Sequence, residues 1–443
     1  MPNMIHATVW GGAGEHGRSS YFIRSQAVSV LFDCGVKKEG DGVYPNIVPQ
    51  DAAALTAVFL SHAHEDHSIA LPLLYKFGYT GVVWTTRATA AQLPPYFAAW
   101  SAYAASRSAE LPYDEDDVAA IRFAYLDDAA APGEWFEAGP NLRVCWGRSG
   151  HMLGAVWLMA EMDGERVFFS GDYTAESLLL GSDAPPQLSG KDAPLLGLVD
   201  AAYGTDGESQ MTKLERLAEV LAETVRQGGI ALLPVPVYGR GQELLVWLTE
   251  RYPDRCLWVE GEIVDGLRQL LSKPGLLREG AVERAKRALS CGRLYRIDSL
   301  EERERALASG ENGIVLTNDG MMQSAKAQWY YRKLCGSPAN AVVLTGHLAA
   351  GSFGKNLLET ESAKANPQEA ARVLMLRWKV HQGIGDVRSM LNRVNCEHTV
   401  LVHASREATD RLTEALTGEG YRGLYSLQAG DSLSLSRGGA IFS

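Results

Sequence analysis

The run Ser61-His62-Ala63-His64-Glu65-Asp66-His67 places three histidines and an aspartate within six positions, and its flanks restrict what can carry it. Upstream, Leu55 to Leu60 reads as a short buried strand; downstream, Ile69 to Leu74 opens a helix-like apolar stretch. The ligand-type side chains therefore sit on the turn at a strand's C-terminal end, where an α/β sheet offers a crevice. Neutral imidazole and carboxylate suit zinc, and also manganese or iron, since geometry decides among these metals more than affinity does. Four such groups crowd a single ion, so the cluster reads as a site for two divalent metal ions, zinc first among them. A solvated polar turn with chance histidines would need no such convergence.

The run resembles the HxHxDH signature of the metallo-β-lactamase superfamily, and the resemblance points to further members of that family's set: Asp33 in Leu31-Phe32-Asp33-Cys34-Gly35, His151 in Ser149-Gly150-His151-Met152, Asp172 in Phe168-Phe169-Ser170-Gly171-Asp172, and His403 after Val400-Leu401-Val402. Singly, each is an ordinary turn residue; their order and placement make the set specific. By that resemblance Asp33 is a structural aspartate beneath the turn. His62, His64 and His151 would hold one ion, Asp66, His67 and His403 the other, and Asp172 would bridge them. The resemblance implies a hydrolase with a metal-bridging hydroxide as nucleophile, which Asp66 would also orient. His64 stands where flavodiiron proteins of this fold carry a glutamate, which favours hydrolysis over oxygen or nitric oxide reduction.

A narrower resemblance spans most of the chain. Leu198-Val199-Asp200-Ala201-Ala202-Tyr203-Gly204 is similar to the acidic strand end of β-CASP proteins, and Gly239-Arg240-Gly241-Gln242-Glu243 to their GRxQE segment. Asn318-Asp319-Gly320-Met321 and Gly346-His347-Leu348-Ala349-Ala350-Gly351-Ser352-Phe353-Gly354-Lys355 are similar to their SGM and GYQAxGTxGR segments. The chain resembles the compact bacterial type of this RNase J and cleavage-and-polyadenylation endonuclease group. The implied fold is a metallo-β-lactamase αββα sandwich with an inserted β-CASP α/β domain. Residues 1–203 would form the first part of the sandwich, 204–370 the insert and 371–443 the returning part. Helix-then-strand alternation within the insert predicts a mostly parallel sheet.

Two departures from the family pattern bear on catalysis. A motif histidine that pairs with the acidic strand end, and is held to protonate the leaving oxygen, falls here at Ile384 within Gln382-Gly383-Ile384-Gly385-Asp386. Losing a general acid typically costs about 10²–10⁴-fold in rate. Asp200 and His347 are the remaining candidates for proton work. His381 ranks lower, because three positions along a strand reverses the face it presents. The second departure is Thr205-Asp206-Gly207-Glu208, acidic where the family often carries basic residues, and so less welcoming to a polyanion. Arg240, Ser324, Ser352 and Lys355 are candidate phosphate contacts, since glycine-rich loops beside a cation often serve so; turn residues closing a sheet would look the same. Trp329-Tyr330-Tyr331 would suit base stacking, or simply pack one side of a helix.

The net charge of −11 argues against nonspecific coating of nucleic acid but leaves room for a local basic groove. Six cysteines without CxxC spacing read as reduced thiols. No basic start followed by an apolar stretch is visible, and no apolar run approaches the ~20 residues of a membrane span, so the expectation is a cytoplasmic protein without membrane association. Three functions stay open: a nuclease acting on RNA or single-stranded nucleic acid; a hydrolase of a small phosphodiester, ester or amide, with Ile384 lining an apolar pocket; and a non-catalytic partner of an active β-CASP protein. The resemblance also implies a homodimer.

Overall fold

The computed structural model describes residues 4–346, 348, 351–362 and 370–442. The chain divides into two compact units, Met1–Ala175 with Ser182–Gly207 and His381–Ser443, and Glu176–Gly181 with Glu208–Val380.

The first unit rests on two sheets. Eight strands run in the order Gly439–Phe442, Ser432–Ser436, Ile5–Gly11, Ser20–Arg24, Ser29–Phe32, Ala57–Phe59, Val83–Thr85, Phe123–Tyr125. Seven run in the order Leu424–Ser426, His398–Val402, Leu196–Asp200, Glu165–Phe169, Val156–Met162, Leu142–Arg148, Trp135–Gly139. Both faces of each sheet are covered, and alternation along a strand divides its side chains between two cores. Ala57 and Phe59 enter the core between the sheets, while Val58 and Leu60 join the one under the helices Leu71–Lys76 and Leu93–Ser106. Likewise Val400 and Val402 face inward, and Leu401 meets the helices Ile384–Val394 and Arg406–Gly418. The result is the expected αββα sandwich. Phe32, Phe59 and Phe169 meet at its centre, with ring centroids 5.7 and 5.2 Å apart, and each such buried side chain contributes roughly 1.5–3 kcal/mol.

Strand direction brings the candidate residues to common edges. Ser29–Phe32 and Ala57–Phe59 are parallel, so Asp33 and the Ser61–His67 turn leave at the same end. In the second sheet Glu165–Phe169, Leu196–Asp200 and His398–Val402 are parallel, with Asp200 opposite Val402, so Asp172, Asp200 and His403 also share one end.

The second unit holds a six-stranded, all-parallel sheet ordered Leu294–Ile297, Cys256–Glu260, Gly313–Thr317, Ile230–Pro234, Ala341–Leu344, Arg372–Met375. Its inner strands are near-continuous apolar runs, as a sheet with helices on both faces requires. Boundaries expected at 203 and 370 differ from the division observed. Arg372–Met375 pairs in parallel with Ala341–Leu344, which keeps the chain in this unit as far as Val380.

Candidate metal centre

Asp33 organises the ligand turn from below. It is fully buried and sits in the left-handed region, with φ 58°, a conformation that costs about 1–2 kcal/mol but that aspartate tolerates better than most residues. Its carboxylate accepts from the Ser61 backbone N–H and the Ser61 hydroxyl, each at 2.7 Å, and pairs with His67 Nδ1 at 2.7 Å. One carboxylate thus holds both ends of the His62–His67 stretch. It also orients the His67 ring so that Nε2 is the atom left for the cluster.

That atom is buried and has no hydrogen-bond partner. Around it the ligand-type atoms crowd together. His62 Nε2 lies 3.1 Å from His64 Nδ1, and His64 Nδ1 lies 3.2 Å from His151 Nε2. Asp172 Oδ2 stands 3.5 Å from His62 Nε2 and 3.4 Å from His151 Nε2. Tetrahedral ligation at about 2.0–2.1 Å separates ligand atoms by about 3.3–3.4 Å, and these four separations lie close to that spacing. The same Asp172 oxygen lies 3.5 Å from His67 Nε2 and 3.6 Å from His403 Nε2, and Asp66 Oδ2 lies 3.7 and 3.8 Å from those two nitrogens. His62, His64, His151 and Asp172 form one group able to hold a divalent metal ion, and Asp66, His67 and His403 a second. Asp172 belongs to the first by its own spacing and touches the second through the same oxygen. The donor set fits divalent cations.

The electrostatics agree with that fit. Burial and the neighbouring imidazoles hold His62 well below the ordinary histidine range, and burial lowers His64 too, so both offer neutral rings. Burial works to raise the Asp172 carboxyl, yet His403, His67, His381 and His151 outweigh it and keep it ionised. Burial works to lower His67, but the Asp172, Asp66 and Asp33 carboxylates prevail and raise it well above the ordinary range. Without a cation a proton therefore sits on His67 among three carboxylates, and binding a metal there would release it.

His381 was misjudged by the strand argument. Residues 376–380 have no regular secondary structure, so strand alternation does not apply to it. Its Nδ1 lies 3.1 Å from Asp200 Oδ2 and 3.8 Å from Asp172 Oδ2, and its ring stacks on His403 at 5.2 Å. The Asp200 carboxylate also accepts backbone N–H groups of Tyr173 at 3.2 Å and Ala202 at 2.9 Å, which fixes it against the imidazole. Burial opposes the charge on His381, but Asp200 and Asp172 outweigh it and raise the ring above its ordinary value. Ile384, where the motif histidine was expected, opens the helix Ile384–Val394 and packs in its core with Val387, Leu391 and Val394. That stripe at helical spacing was readable in the sequence and required an apolar residue at 384. His347 lies outside the described residues.

Two aromatic walls escaped sequence reasoning. Tyr96 packs edge-on against His64 at 5.9 Å, and Tyr203 edge-on against His381 at 5.4 Å. Nothing in the pattern of an apolar helix marks Tyr96. His16, expected at the rim, is exposed, with its ring perpendicular to that of His403 at 5.8 Å.

The candidate phosphate contacts belong to the second unit. Ser324 caps the helix Ala325–Leu334 by accepting from Ala327 N at 3.2 Å, and its hydroxyl donates to Asn318 O at 2.5 Å. Ser352 accepts from Lys355 N at 3.3 Å, and Lys355 Nζ pairs with Glu359 at 3.2 Å. The two serine segments meet, since Gly354 N donates to Met321 O and Phe353 N to Gln323 Oε1, each at 2.9 Å. Arg240 opens the helix Arg240–Arg251, and its guanidinium lies so close to Gly346 that a Cβ there would fall 2.4 Å from Nη1. Tyr330 is buried with its hydroxyl on Glu260, which makes this part of the aromatic run helix packing. Glu208, from the acidic segment, is neutralised by Lys213 at 3.4 Å and Arg216 at 2.6 Å.

Sheets, helices and a histidine–aspartate cluster at coincident strand ends define a metallo-β-lactamase-fold protein with a divalent-metal site. The profile of the Metallo-beta-lactamase superfamily matches residues 13–141, and that of the Beta-Casp domain matches residues 267–357. The chain thus carries one segment that matches the superfamily's model and one that matches the Beta-Casp model. It is 27% identical to "Probable RNase MJ4" of Methanocaldococcus jannaschii, over 89% of this chain and 91% of that protein. It is 28% identical to "Transcription termination factor FttA" of Methanothermobacter thermautotrophicus, over 79% of this chain, and 25% identical to "Cleavage and polyadenylation specificity factor 73" of Drosophila melanogaster, over 92%. The chain spans only 57% and 61% of the length of those two. A crystal structure of a protein of unknown function from Enterococcus faecalis V583 shares the fold, with a TM-score of 0.58 at 14% identity, covering 98% of this chain and all of that one. Among the described residues no helix is long and apolar enough to cross a membrane.

Proposed function

We propose that this protein is a two-metal phosphodiesterase of ribonuclease type that cleaves RNA or another single-stranded nucleic acid. The observation that carries the reading is the Asp200–His381 pair at 3.1 Å beside the His/Asp cluster. His62, His64 and His151 would hold one ion, Asp66, His67 and His403 the other, and Asp172 would join them; zinc suits the donors, with manganese or iron as alternatives. Two such cations supply an acidified water and polarisation of the scissile phosphoryl group. Asp200 holds His381 by Nδ1, which fixes the tautomer and leaves Nε2 to carry the proton that the leaving oxygen needs. A histidine three positions before the usual one thus takes over the acid role left vacant at Ile384. Asp66, next to His67 and His403, would orient the attacking water. Of the candidate phosphate contacts Arg240 would serve that role, whereas Ser324, Ser352 and Lys355 are committed to a helix cap, a backbone amide and an ion pair. The names of the RNase and cleavage-factor relatives support a polymeric RNA substrate. The small-molecule reading placed Ile384 in a substrate pocket, and its burial in the helix core removes that support. A non-catalytic role would predict lost ligands, and every candidate ligand position is filled.

The test is turnover of labelled single-stranded RNA, single-stranded DNA and a chromogenic phosphodiester by zinc- or manganese-loaded protein, with His64→Ala and His381→Ala alongside. RNA cleavage that disappears in His64→Ala and falls strongly in His381→Ala is the expected result. Cleavage of the small ester alone, with both polymers intact, would overturn the nuclease reading.

A further inference from the structure

Two short stretches of the second unit are tied together although they lie far apart in sequence. Lys379 is 5% exposed, and its ammonium is paired with Glu176. The other Glu176 oxygen accepts from Gln210 N at 2.6 Å, and the Gln210 side chain, itself 1% exposed, accepts from Lys379 N at 2.6 Å. The three residues close a ring of side-chain and backbone contacts. A second tie runs beside it. One Glu243 oxygen accepts from the Ser177 hydroxyl and from Leu178 N at 2.8 Å and Leu179 N at 3.2 Å, while its other oxygen accepts from Trp378 Nε1 at 3.0 Å. Residues 176–179 and 378–379 are thus held together at consecutive positions by two carboxylates, one buried and one partly so.

Chain connectivity gives this arrangement its meaning. Asp172 is four residues before Glu176, and His381 is two residues after Lys379. In the first unit those two side chains stand 3.8 Å apart. We propose that Glu176, Lys379 and Gln210 form a positioning clasp for the two segments that deliver Asp172 and His381, with Glu243 and Trp378 reinforcing it; the proposal rests on the reading that His381 serves the reaction. Only two peptide units separate Lys379 from His381, so the clasp restricts the backbone from which the imidazole projects. Proton transfer tolerates little displacement, and a misplacement of about 1 Å can cost about 10²-fold. A lysine this buried needs its partner, because an unpaired buried charge is strongly disfavoured. Glu176 is thus one of the groups that fix Lys379, two residues before His381.

The experiment is a double-mutant cycle on the metal-loaded full chain, combining Lys379→Met with His381→Ala. Since Lys379→Met removes a buried cation from beside Glu176 and can cost folding, the charge-neutral pair Glu176→Gln with Lys379→Met is measured too. The expected result is a fall in kcat on RNA of about tenfold or more, with KM and metal stoichiometry unchanged, that shrinks to less than about twofold in the His381→Ala background. An equal loss in both backgrounds would overturn the clasp and leave Lys379 a stability residue. Imidazole NMR gives a readout independent of substrate: the His381 Nδ1–H resonance, assigned by its loss in His381→Gln, should broaden or shift in the clasp variants. If wild-type protein cleaves no polymer, the nuclease reading fails, and an unmoved His381 resonance would then overturn the clasp on separate grounds.

Discussion

The turn that carries Ser61 to His67 and the loops that carry Ser324 and Ser352 are built alike, as polar residues following parallel strands, but their polar atoms are committed differently. In the serine loops the groups expected to meet a phosphate already have partners: Ser324 serves a helix cap and a carbonyl, Ser352 the Lys355 amide, and Lys355 an ion pair with Glu359. In the histidine turn the supporting groups are fully committed while one inner nitrogen is not. Asp33 accepts three hydrogen bonds, and above it His67 Nε2 has none, with ligand-type atoms packed 3.1–3.8 Å apart. Polar residues that satisfy one another hold a fold together. Polar residues that converge without satisfying one another require a missing component, and their supports must be rigid enough to maintain the mismatch.

The contrast can be broken most decisively at Asp172. Asp172→Asn should abolish turnover and reduce bound metal, read by elemental analysis; retention of full metal content would dissolve the difference between the two regions. His381→Ala comes next, with an expected loss of about 10²–10⁴-fold in kcat at unchanged metal content, whereas Ile384→Ala should leave kcat nearly intact and lower stability by about 2–5 kcal/mol in a denaturant titration. Asp33→Asn keeps a residue type that accepts left-handed backbone while weakening the support of Ser61 and His67, and second-shell losses of this kind typically cost 10- to 100-fold in metal affinity; competition with a chelator measures it. Ser324→Ala, on the satisfied side, should cost only the helix cap, about 0.5–2 kcal/mol, with metal affinity untouched. A rise in KM for RNA without loss of stability would show instead that this serine has a ligand. The smallest effect concerns thiols. Burial pushes Cys145 up to about 11 and Cys396 up to about 12, so at pH 8 both stay protonated and become reactive only as the pH approaches those values. Alkylation at pH 8 should therefore mark the half-exposed Cys291 and Cys335 first, and early labelling of Cys145 in any variant would report an opened sandwich.

Much of the centre was legible before the fold. The ligand-type residues of the cluster, from His62 to His403, declare themselves because the chemistry restricts the residue types and the strand ends restrict their places. The sandwich was implied by the resemblance to the metallo-β-lactamase superfamily; the apolar runs before Asp33, Ser61, Asp172 and His403 indicated only the strands that precede them. His381 was obscured because periodicity was applied to a segment that has no period: the chain leaves strand Arg372–Met375 and bends before the helix at Ile384. The hydrophobic stripe that explains Ile384 was visible, but reading it meant seeing that helix as starting at 384 and not later. Tyr96 and the Lys379–Glu176 ring depend on tertiary contacts between distant residues, which no local pattern records.

The order of strands in the seven-stranded sheet sets a timetable for biosynthesis. His62, His64, His151 and Asp172 are all made before the second unit, whereas strand His398–Val402, which seats His403 beside Leu196–Asp200, is made long after it. On the ribosome the nascent sandwich must wait, with each sheet short of two strands and the ligand cluster short of His403, until the insert has been translated. The group of His62, His64, His151 and Asp172 is complete at that stage, whereas Asp66 and His67 gain His403 only when the returning strand takes its place beside Leu196–Asp200.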